Sequence, residues 1–348
     1  MKRYRALALQ TACRAINGLE PDVARGRIIE SIKRIDAQIA GSKGFIGPDL
    51  KLVVLPEYAL TSFPMGESFE HWIECACLAP DGPEYAALAE IAERRAVYLA
   101  INAYETDADF PGLYFQASVV FSDAGQLVLR YRRLVSMFAP TPHDVWTRYR
   151  EIHGEDGIFP VADTPLGRLA CIASEEILYP EIARALALRG AEIFLHSTSE
   201  VGSPDLTPKD ICKRARAIEN LAMVISANSA GILDYPIPNQ STDGMSKIVD
   251  WQGKVLVEAG YGESMVANAE IDLAALRAWR NRPGMGNLLA RQRLELFRST
   301  YAGSIHPSDT MVEEGEVRVP ERAVFARTQA DTLARLRAAG TIQGEDHD

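Results

Sequence analysis

Apolar positions follow two different spacings in the first part of the chain. Residues 4–10 and 52–55 are short apolar runs, and runs of this length predict strands. Between them, the isoleucines of residues 28–39 recur every three or four positions, which predicts a helix with one apolar face. A second helix is predicted over residues 85–95, before a β-prone run at 96–101. The chain therefore begins with alternating strands and helices, the pattern of an α/β fold.

Antiparallel pairing is predicted in the middle of the chain. Residues 114–122 and 126–132 are apolar runs that flank a turn sequence at 122–125, as in a β-hairpin. Residues 133–165 follow, with several prolines and glycines and mixed charge. Long connections in compact domains tend to be functional, so we expect this segment to be an irregular loop that borders a site.

The second half of the chain repeats the alternation of strands and helices. Pro180 stands where a helix begins and Gly190 follows that helix, which is the usual placing of these two residue types. The predicted elements are strands at 167–173, 193–195, 222–228 and 244–250, a helix at 207–221, and a hairpin through 251–254. These elements complete one β-rich α/β domain, which ends near Asp272.

A different pattern follows this domain. Helical pieces and a stretch rich in Gly, Pro and Glu lead to an amphipathic helix whose apolar positions run from Phe325 to Leu336. Such a segment has no core of its own and packs on a neighbour, either its own domain or another subunit. We therefore divide the chain into an α/β domain at residues 1–280 and a C-terminal extension at residues 281–348.

Composition and charge exclude several classes of protein. The 348 residues are 47% apolar and 24% charged, which is typical of a soluble globular protein and excludes disordered and fibrous chains. The net charge of −10 is opposite in sign to that of a nucleic-acid binder. No apolar run approaches the roughly 18 residues that span a bilayer. We therefore expect neither a nucleic acid nor a membrane as a partner.

The N-terminus and the cysteines indicate the compartment. Gln10 and Arg14 interrupt the first apolar run, which makes it too short for a signal peptide and favours a strand. Five cysteines are an odd number, which favours free thiols over a disulfide framework and predicts a cytoplasmic protein. Cys75 and Cys77 lack a second pair at metal-ligand spacing, and the histidines are scattered. We expect no metal and no cofactor.

Reactive side chains stand at the ends of three predicted strands. Glu57 follows the second strand, where α/β folds bind ligands, although a helix cap or a surface glutamate fits it equally well. Arg132 and Arg133 end the hairpin and point to opposite faces, so one of them can meet an inward carboxylate; a basic edge strand is the alternative. Ser174 ends the strand at 167–173, a location of nucleophilic serines and also of ordinary turn serines. None of these residues indicates an active site alone, but the three together favour one.

Taken together, these residues resemble the nitrilase, or carbon–nitrogen hydrolase, superfamily. That family is marked by Pro-Glu after its second strand, Tyr-Arg-Lys after a hairpin, and Cys in a Gly…Ile-Cys-x-Asp…Pro-Glu context. The resemblance covers about residues 4–272, and the matching motifs are Pro56-Glu57, Tyr131-Arg132-Arg133, Gly167–Glu181, Gly190–Ile193, Ala215–Asn220, Gly244–Ile248 and Glu270-Ile271-Asp272. It implies an α/β fold, an αββα sandwich of two mixed sheets flanked by helices, and a homo-oligomer, a dimer or larger.

The catalytic positions of the family are transferred one residue at a time. By the resemblance, Glu57 takes the place of the general base, Arg133 that of the catalytic Lys, and Ser174 that of the nucleophilic Cys. Cys171 is no substitute, because it lies three residues earlier and points to the opposite face of the strand. Two of the three catalytic positions thus differ from the family pattern.

Further site residues are expected around these three. The family has a second acid in the loop after its Lys, and two residues are candidates here, Asp144 and Glu151. The expected substrate contacts are Tyr58, His143, Trp146, Glu175 and Ser199.

Serine and arginine at these positions change the expected chemistry. A thiol ionises near neutral pH, whereas a hydroxyl must lose its proton to a base during attack, and a carboxylate is a weaker base than imidazole. Arg133 keeps the positive charge that stabilises an oxyanion. We also expect Arg133 to pair with Glu57, which would weaken Glu57 as a base.

The sequence leaves three functions open. The first is hydrolysis of a small amide, nitrile or carbamoyl compound, with Ser174 as nucleophile, Glu57 as base and Arg133 as an oxyanion or substrate clamp. The second is a catalytically inactive relative that binds a small molecule or a protein partner through the same pocket. The third is an acyl or amidino transfer in which water or another residue attacks. The C-terminal extension is similar to that of the aliphatic amidase branch.

Overall fold

A computed structural model of the protein describes residues 3–200 and 206–343. The parts of the predictions that concern residues 1–2 and 344–348 lie outside the described residues. The strands are β1 (Tyr4–Ala8), β2 (Cys13–Arg14), β3 (Leu50–Val54), β4 (Tyr98–Thr106), β5 (Tyr114–Phe121), β6 (Leu127–Arg132), β7 (Ala162–Thr164), β8 (Gly167–Ala173), β9 (Ile193–Ser197), β10 (Met223–Ala227), β11 (Ile232–Leu233), β12 (Lys247–Val249), β13 (Val255–Glu258), β14 (Asn268–Ile271), β15 (Val312–Glu313) and β16 (Glu316–Val317).

The helices lie between and after these strands. The α-helices are α1 (Pro21–Ile46), α2 (Phe69–Ala76), α3 (Pro83–Arg95), α4 (Trp146–His153), α5 (Pro180–Leu188), α6 (Pro208–Asn220), α7 (Leu273–Arg280) and α8 (Ala323–Ala338). The 3₁₀ helices are Pro142–Val145, Ser174–Leu178, Asn239–Thr242, Leu294–Leu296 and Thr300–Ala302. None of the described helices has the length and apolar character needed to cross a membrane.

Two six-stranded mixed sheets form the centre of the molecule. The first has the order β14-β1-β3-β4-β5-β6, in which β1, β3 and β4 are parallel and the outer pairs are antiparallel. The second has the order β13-β12-β10-β9-β8-β7, in which β8, β9 and β10 are parallel. Helices α1, α2 and α3 cover the first sheet, and α5 and α6 cover the second. The predicted αββα sandwich is confirmed.

Apolar side chains fill three layers, one between the sheets and one beneath each set of helices. In β3, Leu52 and Val54 point to the layer between the sheets, whereas Leu50 and Val53 pack beneath the helices. Successive side chains of a strand point to opposite faces, so a strand covered on both faces is apolar at every position. This is why most positions of the central strands are apolar in the sequence.

The prediction of an irregular loop at residues 133–165 is wrong in part. This segment contains the 3₁₀ helix Pro142–Val145, helix α4 and strand β7. The carboxylate of Asp144 accepts hydrogen bonds from the backbone nitrogen of Thr141, at 2.9 Å, and from its hydroxyl, at 2.7 Å. These bonds begin the helical turn where the proline and glycine content predicts none.

The C-terminal extension packs on the helical side of the first sheet. Met311 and Val324 are buried in the same apolar layer as α1, α2 and α3. Arg322 stands just before α8 and donates from its guanidinium to the Tyr114 hydroxyl at 3.1 Å and to the Phe138 carbonyl at 3.0 Å. The segment of the extension from Met311 to Val324 therefore contacts the α/β domain of the same chain.

Candidate active site

The three expected catalytic residues stand just beyond the ends of three strands. Glu57 follows β3 and Arg133 follows β6, both in the first sheet, whereas Ser174 follows β8 in the second sheet. Since α/β folds bind ligands beyond the carboxyl ends of their parallel strands, this is a favourable position for a site. The candidate site therefore draws on both sheets of the sandwich.

Glu57 is a buried carboxylate with three hydrogen-bond donors. Its side chain is 3% exposed. Oε1 accepts from Gln116 Nε2 at 2.9 Å and from Arg133 Nη1 at 3.1 Å, and Oε2 accepts from Ser199 Oγ at 3.0 Å. The Tyr58 hydroxyl is hydrogen-bonded to Ser199 Oγ in turn. A carboxylate accepts about four hydrogen bonds, so Glu57 keeps about one free acceptor site.

Arg133 connects Glu57 to Glu175. Besides Glu57, its guanidinium donates to Gln116 Oε1 at 2.6 Å and to the Val135 carbonyl at 2.7 Å, and it forms an ion pair with Glu175. Burial opposes the charge of Arg133, but the two carboxylates outweigh burial and raise the pKa of the guanidinium. The expected pairing of Arg133 with Glu57 is confirmed in the described structure.

Ser174 adopts a strained backbone conformation. Its φ of +49° lies in the left-handed region, which costs a residue other than glycine about 1 to 2 kcal/mol. The residue is only 4% exposed. Its carbonyl accepts a hydrogen bond from His196 Nε2 at 2.9 Å, and its Oγ accepts one from Lys209 Nζ at 3.0 Å. These two contacts hold the turn that presents the hydroxyl.

Ser174 does not contact the other two expected catalytic residues directly. Within residues 3–200 and 206–343, Ser174 Oγ forms no hydrogen bond with Glu57 or Arg133. The structure therefore joins Glu57 to Arg133 but connects Ser174 to Lys209.

Glu176 was missed by sequence reasoning, although it holds the site together. It has no exposed surface. Oε2 accepts from the Tyr131 hydroxyl at 2.7 Å and from the Ala173 nitrogen at 3.1 Å, and Oε1 accepts from the nitrogens of Leu134, at 2.6 Å, and Val135, at 3.1 Å. Burial raises the pKa of Glu176 to about 7, although Arg133 and these hydrogen bonds oppose the increase. The position of the family's Asp in Ile-Cys-x-Asp could have revealed this residue.

Lys209 and His196 were also missed. Lys209 lies in the first turn of α6, and Thr207 caps that helix by accepting from the Asp210 nitrogen at 3.1 Å. His196 is buried in β9, and burial lowers its pKa well below the usual value, so the ring is neutral. With Nε2 donating to the Ser174 carbonyl, Nδ1 accepts from the Ser226 hydroxyl at 2.8 Å. No sequence motif links these residues to Ser174, because the contacts join separate elements.

The remaining expected substrate contacts fall into two groups. Tyr58 and Ser199 belong to the hydrogen-bond chain that ends at Glu57. His143 and Trp146 line a separate cavity of about 700 Å³, together with residues of α8. Glu175 joins the two regions, because it pairs with Arg133 and also lines this cavity.

The two candidates for a second acid lie in different surroundings. Asp144 is buried and bonds to Thr141 and to the Thr310 hydroxyl, so its carboxylate joins its own turn to the C-terminal extension. Glu151 is exposed on α4. The structure brings neither residue to the Glu57 carboxylate, whose partners are Gln116, Arg133 and Ser199.

Cysteine and metal chemistry find little support in the described residues. Cys171 lies in the layer between the sheets, where burial raises the pKa of its thiol. Asp107, Asp109 and His153 bring ligand atoms within 4.8 Å of one another. The Arg132 guanidinium already pairs with Asp107 and lies 3.2 Å from His153 Nε2, which opposes a second positive charge there.

Sequence comparison finds related proteins over most of the chain. The family profile "Carbon-nitrogen hydrolase" matches residues 20–281. A deaminated glutathione amidase of Yersinia enterocolitica is 29% identical over 250 residues, which cover 70% of this chain and 84% of the amidase. A formamidase of Pseudomonas syringae pv. tomato is 30% identical over 244 residues, which cover 69% of this chain and 65% of the formamidase. The match thus spans slightly less than two thirds of that formamidase.

Structural comparison finds the same sandwich in solved structures. A carbon–nitrogen hydrolase from Helicobacter pylori G27 has a TM-score of 0.64 at 23% identity and covers 86% of this chain and 99% of its own. Nit3 of Saccharomyces cerevisiae, a member of branch 10 of the nitrilase superfamily, has a TM-score of 0.63 at 20% identity. The match covers 80% of this chain and 93% of Nit3. An amidase from Nesterenkonia sp. has a TM-score of 0.60 at 20% identity, and the match covers 85% of this chain and 96% of the amidase. At these identities the likeness concerns the fold.

Proposed function

The chain belongs to the carbon–nitrogen hydrolase family, and from that premise we propose that it hydrolyses a small amide, nitrile or carbamoyl compound. In this proposal Ser174 and Arg133 occupy the positions of the family's nucleophilic Cys and catalytic Lys. Ser174 attacks the substrate, Glu57 is the general base, and Arg133 binds the oxyanion or a substrate carboxylate. The amidase and formamidase among the relatives support an amide as the first substrate class to test.

The conformation of Ser174 is the observation that supports this proposal most directly. A strained φ of +49° persists only where the surroundings hold it, and such strain collects at functional sites. At Ser174, His196 holds the carbonyl and a cation, Lys209, is hydrogen-bonded to the hydroxyl. An ordinary turn serine needs neither the strain nor a cation hydrogen-bonded to its oxygen.

The proposed reaction proceeds through an acyl-enzyme. Ser174 Oγ forms a bond to the carbonyl carbon, its proton passes to a base, and the carbonyl electron pair moves to the oxygen, where a guanidinium stabilises it. The C–N bond then breaks, and the leaving nitrogen takes up the proton. In the second half, water bonds to the ester carbon, the bond from that carbon to Ser174 Oγ breaks, Oγ takes up a proton and the acid is released. The free acceptor site of Glu57 suits the deprotonation of that water.

A second candidate function is supported by the contacts of Arg133. Its guanidinium is divided among Glu57, Gln116 and Glu175, which reduces the hydrogen-bonding capacity left for an oxyanion. A site in this condition binds a small molecule or a protein partner without turnover. This candidate predicts binding of short amides by a protein that releases no ammonia.

Ammonia release from a panel of short amides, nitriles and carbamoyl compounds tests the proposal. The native protein is compared with Ser174→Ala and Ser174→Cys, all checked for folding by circular dichroism. We expect ammonia from the native protein and a loss of about a thousandfold or more in Ser174→Ala, the usual effect of removing a nucleophile. Ser299→Ala, a change at an exposed serine of the C-terminal extension, is the matched control.

The variants separate the two candidate functions. A silent native protein with an active Ser174→Cys variant supports binding through a pocket that lacks only a thiol. Silence in all three proteins contradicts hydrolysis and supports the binding function. Unchanged activity in Ser174→Ala contradicts the assignment of the nucleophile.

A further inference from the structure

Ser174 has a close cationic neighbour that the proposed function does not use. Lys209 Nζ lies 3.0 Å from Ser174 Oγ and 3.4 Å from the hydroxyl of Thr198. An ammonium donates at this distance, and a neutral amine accepts a proton from the hydroxyl at the same distance. The geometry therefore fits proton transfer between the two side chains in one step.

Glu57, the general base of the proposed hydrolysis, suits the water of the second half better than the proton of Ser174. No hydrogen bond joins it to Ser174 in the described residues, and three donors, one of them a guanidinium, already bind its carboxylate. A carboxylate is also a much weaker base than an amine, with reference pKa values of about 4.3 and about 10.4. Proton transfer from an alcohol is therefore far less unfavourable to a neutral amine.

His196 is also unsuited to this role. One ring nitrogen donates to the Ser174 carbonyl and the other accepts from Ser226, so neither is free for the hydroxyl. The ring holds the backbone of the turn and leaves the side chain of Ser174 to Lys209.

The surroundings of Lys209 differ from those of two buried lysines nearby, Lys213 and Lys247. Lys213 pairs with Glu200, and Lys247 pairs with Asp210 and Glu258. Lys209 forms no ion pair with any carboxylate in the described part of the chain. It also lies in the first turn of α6, where the helix dipole disfavours a positive charge. Lys209 therefore lacks the carboxylate partner that Lys213 and Lys247 have in the described structure.

We propose that Lys209 is a catalytic residue that accepts the proton of Ser174 and forms a Ser–Lys pair with it. This inference rests on the proposed function, in which Ser174 is the nucleophile. In the step, the O–H bond of Ser174 breaks and its proton binds the Nζ lone pair, while Oγ bonds to the electrophilic carbon. The Lys209 ammonium then returns the proton to the leaving nitrogen. Serine–lysine pairs serve hydrolases of unrelated folds in this way.

The charged groups around Lys209 come from several elements. His196 on β9 and Glu200 beyond the end of β9 interact electrostatically with Lys209, and Lys213 on α6 forms an ion pair with Glu200. His196 is neutral, and Glu200 is paired with Lys213.

Covalent labelling tests the pair without a known substrate. Diisopropyl fluorophosphate is attacked by an activated serine: Oγ bonds to phosphorus, fluoride leaves, and the base takes the proton. The labelling rate of Ser174 is measured by intact-protein and peptide mass spectrometry in the native protein, Lys209→Met, Lys209→Arg and Lys254→Met. Lys254 is an exposed lysine on the second sheet's hairpin and is the matched control.

If Lys209 accepts the proton, the rate of Ser174 labelling should depend on pH and on the Lys209 side chain in a distinct way. We expect native labelling to increase with pH into the range in which lysine loses its proton, about 10.4 for the free residue. Labelling should fall about a hundredfold or more in both Lys209 variants, since general bases contribute about that much, and should be unchanged in Lys254→Met. Arginine keeps the positive charge but cannot accept a proton, so it separates basicity from charge. Circular dichroism confirms that each variant is folded.

Three results would overturn the inference. They are retention of labelling in Lys209→Arg, a pH-dependent increase that persists unchanged in Lys209→Met, and absence of label on Ser174 of the native protein at every pH. A labelled protein that releases no ammonia from the amide panel has a different meaning. In that case the Ser–Lys pair stands and the proposed hydrolysis of these substrates fails.

Discussion

Glu176 shows how a single residue can set the geometry of a whole site. One of its carboxylate oxygens binds the backbone beyond β6, where Arg133 lies, and the other binds the backbone nitrogen of Ala173, next to Ser174. Fully buried and hydrogen-bonded to four donors, it joins the two sheets at the point where the reactive residues leave them. Its burial raises its pKa to about 7, so the same residue couples the site to pH.

Glu176 predicts a pH-dependent stability. In the unfolded chain its pKa is about 4.5 and in the folded protein about 7, so the folded state binds the proton more tightly. The contribution of Glu176 to the free energy of unfolding is therefore complete below about pH 4.5 and is lost as pH rises to about 7, by about 3 kcal/mol at most. Urea unfolding across this range should show that the stability of the native protein relative to Glu176→Gln decreases as pH rises.

An exposed carboxylate provides the control for this prediction. Glu151→Gln removes an exposed carboxylate of α4 that no hydrogen bond or ion pair of the described structure involves, and it should follow the native pH dependence. Parallel curves for the native protein and Glu176→Gln would show that Glu176 is already ionised at low pH in the folded state.

At the scale of elements, the start of α6 decides where Lys209 lies. Thr207 accepts from the Asp210 nitrogen at 3.1 Å, which caps the helix, and donates to Glu200 Oε2 at 3.0 Å. The cap thereby fixes the first helical turn relative to the residues that follow β9. Lys209, in that turn, is directed toward Ser174 at the end of β8.

Removal of this cap should weaken the helix and displace Lys209. Thr207→Ala loses both hydrogen bonds, and we expect a loss of about 1 kcal/mol in the free energy of unfolding, the usual cost of an N-cap. Thr207→Ser keeps the oxygen and should retain most of the native stability. Denaturant unfolding of the three proteins measures both effects; equal loss in the Ser and Ala variants would assign the effect to the lost methyl group instead.

At the scale of the whole molecule, the C-terminal extension completes a cavity beside the site. The cavity of about 700 Å³ lies between the segment after β6 and α8, and Glu175 on its wall pairs with Arg133. Arg322 anchors the start of α8 by hydrogen bonds to Tyr114 and Phe138, and its guanidinium lies 5.0 Å from the centre of the Phe69 ring. The extension thus contributes a wall that the α/β domain lacks by itself.

Arg322→Ala should release this wall. The variant loses its contacts with Tyr114, Phe138 and the Phe69 ring, so we expect faster cleavage of the extension by a non-specific protease, with the α/β domain remaining intact. Arg327→Ala removes an exposed arginine of α8 and is the matched control. Equal cleavage rates in the two variants would mean that the apolar contacts of Val324 hold α8 without Arg322.

Local sequence patterns determined much of the fold. Strand β8 has the bounds predicted for it, Gly167–Ala173, and α5 begins at Pro180 and ends before Gly190 as expected. These predictions succeed because hydrophobic spacing, proline and glycine act over a few neighbouring residues. The motifs also identified Glu57 and Arg133 as neighbours, since charged residues that leave strands of one buried sheet need partners.

Only the tertiary structure decided which side chains meet. Ser199 reaches Glu57 across 142 positions of sequence and Lys209 reaches Ser174 across 35. Such contacts depend on strand order, on the approach of two sheets and on the direction in which each side chain leaves its element. None of these is fixed by nearby residues, because they result from burying apolar surface over the whole molecule. The sequence by itself therefore determined the strands, the helices and the family, whereas global packing brought Lys209 to Ser174.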